Sequence, residues 1–164
     1  MVASTFSVRP LTPPDLPAVG RLAGALVRFH HALDAGRFLL VDRVEEGYAR
    51  FFASELGDPR AVLLVATDAS GAIVGYAYGR FETRDWNLLL DEHGALHDVL
   101  VSESARGAGV GEELVRETCR RLEALGAPRV LLNTAVQNTT AQALFEKVGF
   151  RKTMIEMTRE RGGG

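Results

Sequence analysis

The sequence predicts an α/β (α+β) fold, a mixed β-sheet covered by helices, and three observations lead to it. Apolar residues recur at helical spacing in four segments. Short β-branched and aromatic runs lie between turn signals, and one such run passes through a glycine loop straight into a helix. The 164 residues are a one-domain length, and with 46% of them apolar the chain can bury a core. No linker, repeat or shift of composition divides it, so residues 1–164 are read as a single domain.

"FSVRP" is a short first strand. Thr12-Pro13-Pro14-Asp15 then supplies an N-cap, prolines tolerated in a first turn, and an acid at the third position. Leu16, Val19, Leu22, Ala23, Leu26 and His30 keep helical spacing to an end near Gly36. Val44, Tyr48, Phe51, Phe52 and Leu56 carry a second helix, closed by Gly57-Asp58-Pro59. "AVLLVAT" and "AIVGYAYGRFE" flank the turn Asp68-Ala69-Ser70-Gly71, which makes them an antiparallel hairpin. "ALHDVLVS" is a fourth strand. Behind it Val110, Leu114, Thr118, Leu122 and Leu125 step by three or four into a third helix, ending at Gly126 with Pro128 beyond. "RVLLNTAV" is a fifth strand, joined to the fourth through that helix and so parallel to it. Asn138 caps a fourth helix with an apolar face of Ala141, Leu144, Phe145 and Val148, and "FRKTMIEMT" closes the sheet.

Composition excludes several function classes. A formal net charge of −2 gives no global field to draw in nucleic acid or an acidic membrane, so neither is expected as a partner. "MVASTFSVRP" lacks the basic start and apolar core of a signal peptide, and "AVLLVA" is too short to span a bilayer, so a cytoplasmic location is expected. Cys119 is the single cysteine, which rules out an intrachain disulfide and a cysteine-based metal site. His30 and His31 are adjacent, and His93 and His97 share a face only in a helix; no metal is expected.

Arg106-Gly107-Ala108-Gly109-Val110-Gly111 lies between the fourth strand and the third helix. Glycines there let backbone N–H groups converge without Cβ interference, and the helix start adds about half a positive charge. That is an anion cradle suited to phosphates, or else a tight strand-to-helix turn that needs glycine for its own geometry. No Lys-Ser/Thr follows, so it is not a P-loop, and the full Gly-x-Gly-x-x-Gly dinucleotide spacing is missing.

At these residues the chain resembles the GNAT superfamily of acetyl-CoA-dependent N-acetyltransferases. Arg106, Gly109 and Gly111 fill its Arg/Gln-x-x-Gly-x-Gly/Ala pyrophosphate motif, and "NTTAQALFEKVGF" resembles its second signature. The two signatures cover residues 95–151, and "VRPLTPPDLPAV" resembles the family's first strand and helix. The resemblance implies a mixed, mostly antiparallel sheet of six to seven strands with the fourth and fifth splayed, flanked by about four helices. It implies acetyl-CoA as co-substrate, with pyrophosphate on the amides of Arg106, Gly107, Ala108, Gly109, Val110 and Gly111. The pantetheine arm would pair with backbone of Val99, Leu100 and Val101, and Asn138 would touch the coenzyme or serve as a plain N-cap. The Val99 N–H is the expected donor to the thioester carbonyl.

An alkylamine is protonated at neutral pH, so an acetyl acceptor must lose a proton before it attacks. His97 matches a position where some family members carry a working histidine. Strand alternation puts it on the face of Val99 and Asp98 on the other. Glu82 is the second candidate base, or a solvated strand-end carboxylate, and Ala95 stands where other members carry a glutamate. Many members have a tyrosine before the Glu-Lys-x-Gly-Phe segment to protonate the leaving thiolate, whereas this chain has Phe145, which donates no proton. Phe145 is expected beside the coenzyme, with Tyr76 and Tyr78 as substitute acids or packing residues.

The acceptor is expected between the first two helices and the loop after the third strand. Asp34, Asp42, Glu45, Glu46, Asp85, Asp91 and Glu92 make those segments acid-bearing, which suits a cationic amine or a solvated surface. Trp86 is a substrate wall or a contact in a homodimer. The competing reading is a non-catalytic acyl-CoA sensor or regulatory domain.

Overall fold

A computed structural model describes residues 6–162, so the stretch read for a leader begins outside the described residues. The elements run β1 (Phe6–Pro10), α1 (Leu16–Leu33), α2 (Val44–Glu55), β2 (Ala61–Asp68), β3 (Ile73–Glu82), β4 (His93–Val101), α3 (Val110–Ala124), β5 (Val130–Leu132) and α4 (Thr139–Lys147). The strands form one sheet in chain order, β1-β2-β3-β4-β5. The first three pairings are antiparallel and β4 with β5 is parallel.

Helices cover both faces. On one, Val19, Ala23 and Leu26 of α1 and Phe52 of α2 pack on Leu63, Val65, Tyr76 and Tyr78. On the other, Val110, Leu114, Val115 and Leu122 of α3 and Phe145 of α4 pack on Val62, Leu64, Ala77 and Leu96. Alternate residues of one strand thus serve two cores, as a two-sided sheet requires. The entry to α1 is held by Asp15, which is buried. Its carboxylate accepts two bonds from the Arg9 guanidinium, at 2.7 and 2.9 Å, and bonds from the Thr12 N–H and hydroxyl, each at 2.8 Å. The Arg9 bonds hold the Asp15 carboxyl well below the usual carboxylate range.

The strand count differs from the expected six to seven: the described residues hold five. "FRKTMIEMT" is not a strand, and Met154, Ile155 and Met157 are exposed at 83%, 86% and 90%. Its residue types favour a strand, but a strand needs a paired neighbour, and a local pattern cannot supply one. "RVLLNTAV" shortens to Val130–Leu132, and β4 starts two residues early, at His93. Helix α1 stops at Leu33 because the Asp34 carboxylate accepts the Gly36 and Arg37 N–H groups at 3.0 and 3.1 Å, a turn that competes with the helix.

Candidate active site

Strands β4 and β5 pair only over Gly94–Leu96 and part beyond it, which is the expected splay. At that point the β3–β4 register slips: Gly79 faces Leu96 and Tyr78 faces Asp98, leaving His97 as the extra residue of a bulge. The bulge corrects the alternation. His97 and Asp98 both line a cavity on the α1/α2 face, while Val99 packs on the α3 side. So His97 and Val99 lie on opposite faces, and Asp98 shares the face of His97.

Past the bulge the Ser102 N–H donates to the Val74 carbonyl at 2.8 Å. In an antiparallel ladder alternate residues turn their backbone to the partner, so Leu100 and Asp98 face β3. The backbone of Val99 and Val101 therefore faces the opposite edge, where β5 has ended. Leu100, expected beside them as a coenzyme contact, offers that edge no backbone group.

Gly109 is the N-cap of helix α3, and its φ of 85° is a left-handed conformation that glycine adopts without strain. No side chain caps this end, so the first-turn amides stay open to an anion. A Cβ at Gly107 or Gly109 would meet open space, whereas one at Gly111 would press on Leu144 at 3.3 Å. Gly107 and Gly109 thus border open space, and Gly111 serves helix packing. Arg106 sits at the mouth, largely exposed, with Nε donating to the Val101 carbonyl at 3.4 Å. The donor set of an uncapped helix start, an arginine and an open strand edge suits a pyrophosphate and an amide-bearing arm.

The Asn138 Oδ1 accepts the Ala141 N–H at 3.2 Å, so the cap is made. That bond uses the oxygen and leaves the side-chain NH₂ as a donor. Phe145 is buried, with its ring edge-on to Phe150 at 6.0 Å between centroids.

The cavity, about 420 Å³, is lined by Tyr48, Phe51, Glu55, Tyr78, Arg80, Glu82, His97 and Asp98. It brings both candidate bases together: His97 Nε2 lies 3.2 Å from Glu82 Oε1, and the imidazole stacks on Tyr78 at 5.2 Å. With Glu82 ionised, Nε2 carries the hydrogen and Nδ1 keeps the lone pair. The other three histidines bond backbone carbonyls, His30 that of Leu26, His31 that of Phe38 and His93 that of Asp91. Among the described residues only His97 has a carboxylate as ring partner.

The tyrosines are already engaged. Tyr78 donates to Glu55 at 2.7 Å and Tyr76 to Asp98 at 3.3 Å. Burial, reinforced by these carboxylates, pushes both phenols up from their ordinary value. Burial also raises the Asp98 carboxyl, against the bond from Tyr76 and the nearby His97 and His30. Tyr48 is pushed up to about 12, chiefly by burial.

The acids of the cavity are not those expected from the loops. Among the latter, Glu45 pairs with Arg28, Glu46 with Arg43 and Asp91 with Arg84, while Asp85 accepts the Asn87 N–H. Glu55 and Asp98 were missed as site residues. The signal for Asp98 is a bulge that strand alternation hides, and Glu55 reaches the site only because Phe52 of α2 packs on Tyr76 and Tyr78 of β3. Trp86 is 76% exposed, with the Arg84 guanidinium 5.4 Å above its ring.

A parted parallel strand pair beside an open helix start defines the class, an acetyltransferase fold with a cavity on the far face of the sheet. The chain belongs to the acetyltransferase (GNAT) family, whose model matches residues 28–150. It is 28% identical over 151 residues to a mycothiol acetyltransferase of Pseudarthrobacter chlorophenolicus, covering 89% of this chain but only 42% of that relative's length. In fold it resembles the glucosamine-6-phosphate N-acetyltransferase of Arabidopsis thaliana, with a TM-score of 0.70 at 22% identity over 95% of this chain and 98% of that one. An aminoglycoside N-acetyltransferase solved in complex with CoA gives a TM-score of 0.72 at 18% identity, over 96% and 95%. Among the described residues no helix is long and apolar enough to cross a membrane.

Proposed function

We propose that this chain moves an acetyl group from acetyl-CoA to a primary amine by direct attack in a ternary complex. The observation that supports this most is positional. Where β4 leaves β5 after Leu96, the next two residues open a cavity on one face, and Val99 and Val101 turn backbone groups to the vacated edge.

In this reading Arg106 and the amides from Gly107 to Gly111 bind the pyrophosphate, with Gly111 acting through its N–H and through the packing that sets the helix. Val99 and Val101 bind the pantetheine arm, and the Asn138 NH₂ donates to the coenzyme while its oxygen caps α4. His97 takes the ammonium proton on Nδ1, and Glu82 holds the ring and balances the imidazolium. The freed amine attacks the carbonyl carbon, whose oxygen takes the Val99 N–H bond; as the C–S bond breaks, the nitrogen gives up its second proton, through water, to the departed thiolate. A thiol of ordinary pKa about 8.5 leaves as thiolate without help, so Phe145 needs no proton to give. A cytoplasmic homodimer belongs to the same reading, with the apolar residues of segment 154–157 as its surface; light scattering after gel filtration tests it.

Steady release of free thiol from acetyl-CoA with a panel of primary amines tests the transferase. Binding of acetyl-CoA without thiol release across the whole panel would favour a sensor instead, the reading that Phe145 suits. Parental turnover by His97→Gln from pH 6 to 9 would remove His97 from the proton path and leave Glu82 as base.

A further inference from the structure

The cavity has a charge balance that bears on which amine enters it. Glu55, Glu82 and Asp98 set three carboxylates against one guanidinium, that of Arg80. Arg80 is fully committed: it bonds Glu55 through one terminal nitrogen and Asp58 at 2.6 Å through the other, with its Nε 3.9 Å from Glu82. Its side chain is only 15% exposed, so it cannot swing out to meet a substrate. Glu55 is spent on Arg80 and Tyr78. Glu82 shares the Arg80 Nε and the His97 ring, which leaves Asp98, just past the bulge, as the cavity carboxylate with no ion-pair partner among the described residues.

Two consequences follow for a ligand. A carboxylate next to the reacting amine would enter a net-negative cavity with no free guanidinium to receive it, and burying such an unpaired charge is costly. A second ammonium, in contrast, would supply the counter-charge that Asp98 lacks: its carboxylate accepts the Tyr76 hydroxyl and forms no ion pair among the described residues. Burial raises that carboxyl, and a cation beside it would favour the charged form. The walls agree, since Tyr48, Phe51 and Tyr78 present rings against which alkyl segments pack and ammonium groups are attracted.

Resting on the transferase reading above, we infer that the acceptor is a diamine or polyamine with no carboxylate beside its amine, its second cation held by Asp98 while His97 and Glu82 attend the reacting nitrogen. No covalent step beyond the acetyl transfer is involved.

Three acceptors of equal chain length separate the charges: butylamine, 1,4-diaminobutane and ornithine, each with acetyl-CoA and the full chain. The expected result is a kcat/KM for the diamine at least 10-fold above both others, an advantage that shrinks as salt is raised from 20 to 300 mM. Asp98→Asn should pull the diamine-to-monoamine ratio down toward one, chiefly through KM for the diamine, and Asp98→Glu should recover part of it. A purely structural Asp98 would lower both substrates together and leave the ratio alone, which would overturn the assignment. Ornithine used as well as the diamine would overturn the charge assignment and leave the transferase intact. Absence of turnover with every primary amine, acetyl-CoA binding being retained, would overturn the transferase and the assignment with it.

Discussion

The Glu82–His97 contact separates two roles that sequence order leaves equivalent. If the imidazole carries the proton and the carboxylate holds the ring, the two variants must fail differently. His97→Ala is expected to lower kcat/KM by roughly 10²-fold with acetyl-CoA affinity within a few fold, whereas Glu82→Gln, which keeps a hydrogen-bond partner, should cost less. Steady-state kinetics from pH 5.5 to 9 with a turned-over amine checks both, and equal losses would merge the roles. Asp15 gives a residue-scale prediction for stability. Its carboxyl is lowered in the folded state, so its stabilisation is present above the ordinary carboxylate pKa of about 4 and is lost as pH falls through the folded value. Asp15→Asn should cost about 2 kcal/mol at pH 7, since hydrogen bonds to charged groups are worth about 1.5–3, and the deficit should narrow below pH 4 in urea titrations. A deficit that stays constant to pH 2.5 would mean that the pairing with Arg9 is not its cause.

At the scale of elements, the closest approach is that of α1 to α2. A Cβ on Gly20 would lie 2.6 Å from the Glu45 carbonyl oxygen, a backbone atom, whereas one on Gly47, in α2 itself, would meet nothing within 4 Å. Alanine gains about 0.5–1 kcal/mol over glycine in a helix interior, and overpacking costs about 1–3. The two substitutions should therefore differ in sign: Gly20→Ala destabilises because the helices must part, and Gly47→Ala stabilises by roughly 0.5–1 kcal/mol. Chemical denaturation of the pair decides it, and stabilisation by Gly20→Ala would show that the α1–α2 contact yields to a methyl group without loss. The start of α3 follows the same logic with a ligand added. Gly109→Glu sets a side chain at a φ of 85° and aims a carboxylate at the cradle, while Gly111→Glu would fail chiefly by pressing on Leu144.

For the whole molecule, binding to the folded state alone raises stability by mass action. Acetyl-CoA at 100 times its Kd should add about 2.7 kcal/mol, roughly 5–10 °C in Tm for a chain of this size. Gly109→Glu should lower the starting Tm and abolish the rise. Because the readout is the difference with and without acetyl-CoA, strain at the glycine does not confound it; a full rise in the folded variant would place the coenzyme elsewhere.

Much of this protein was written locally. Helical spacing in Leu16–Leu33 and Val110–Ala124, the turn at Asp68–Gly71 and the glycines before α3 each depend on neighbours a few residues apart, so the sequence by itself determined the elements and their order. It also marked His97 and Glu82, because residue type and strand membership are local properties. What only the tertiary structure decided is where those side chains meet. A one-residue bulge at His97 turns Asp98 onto the cavity face, and no alternation rule registers an extra residue whose only trace is a slipped pairing across 20 positions of chain. The strand read at "FRKTMIEMT" failed for the complementary reason: strand propensity is local, but a ladder is a contact between distant segments, and the described chain offers that segment none.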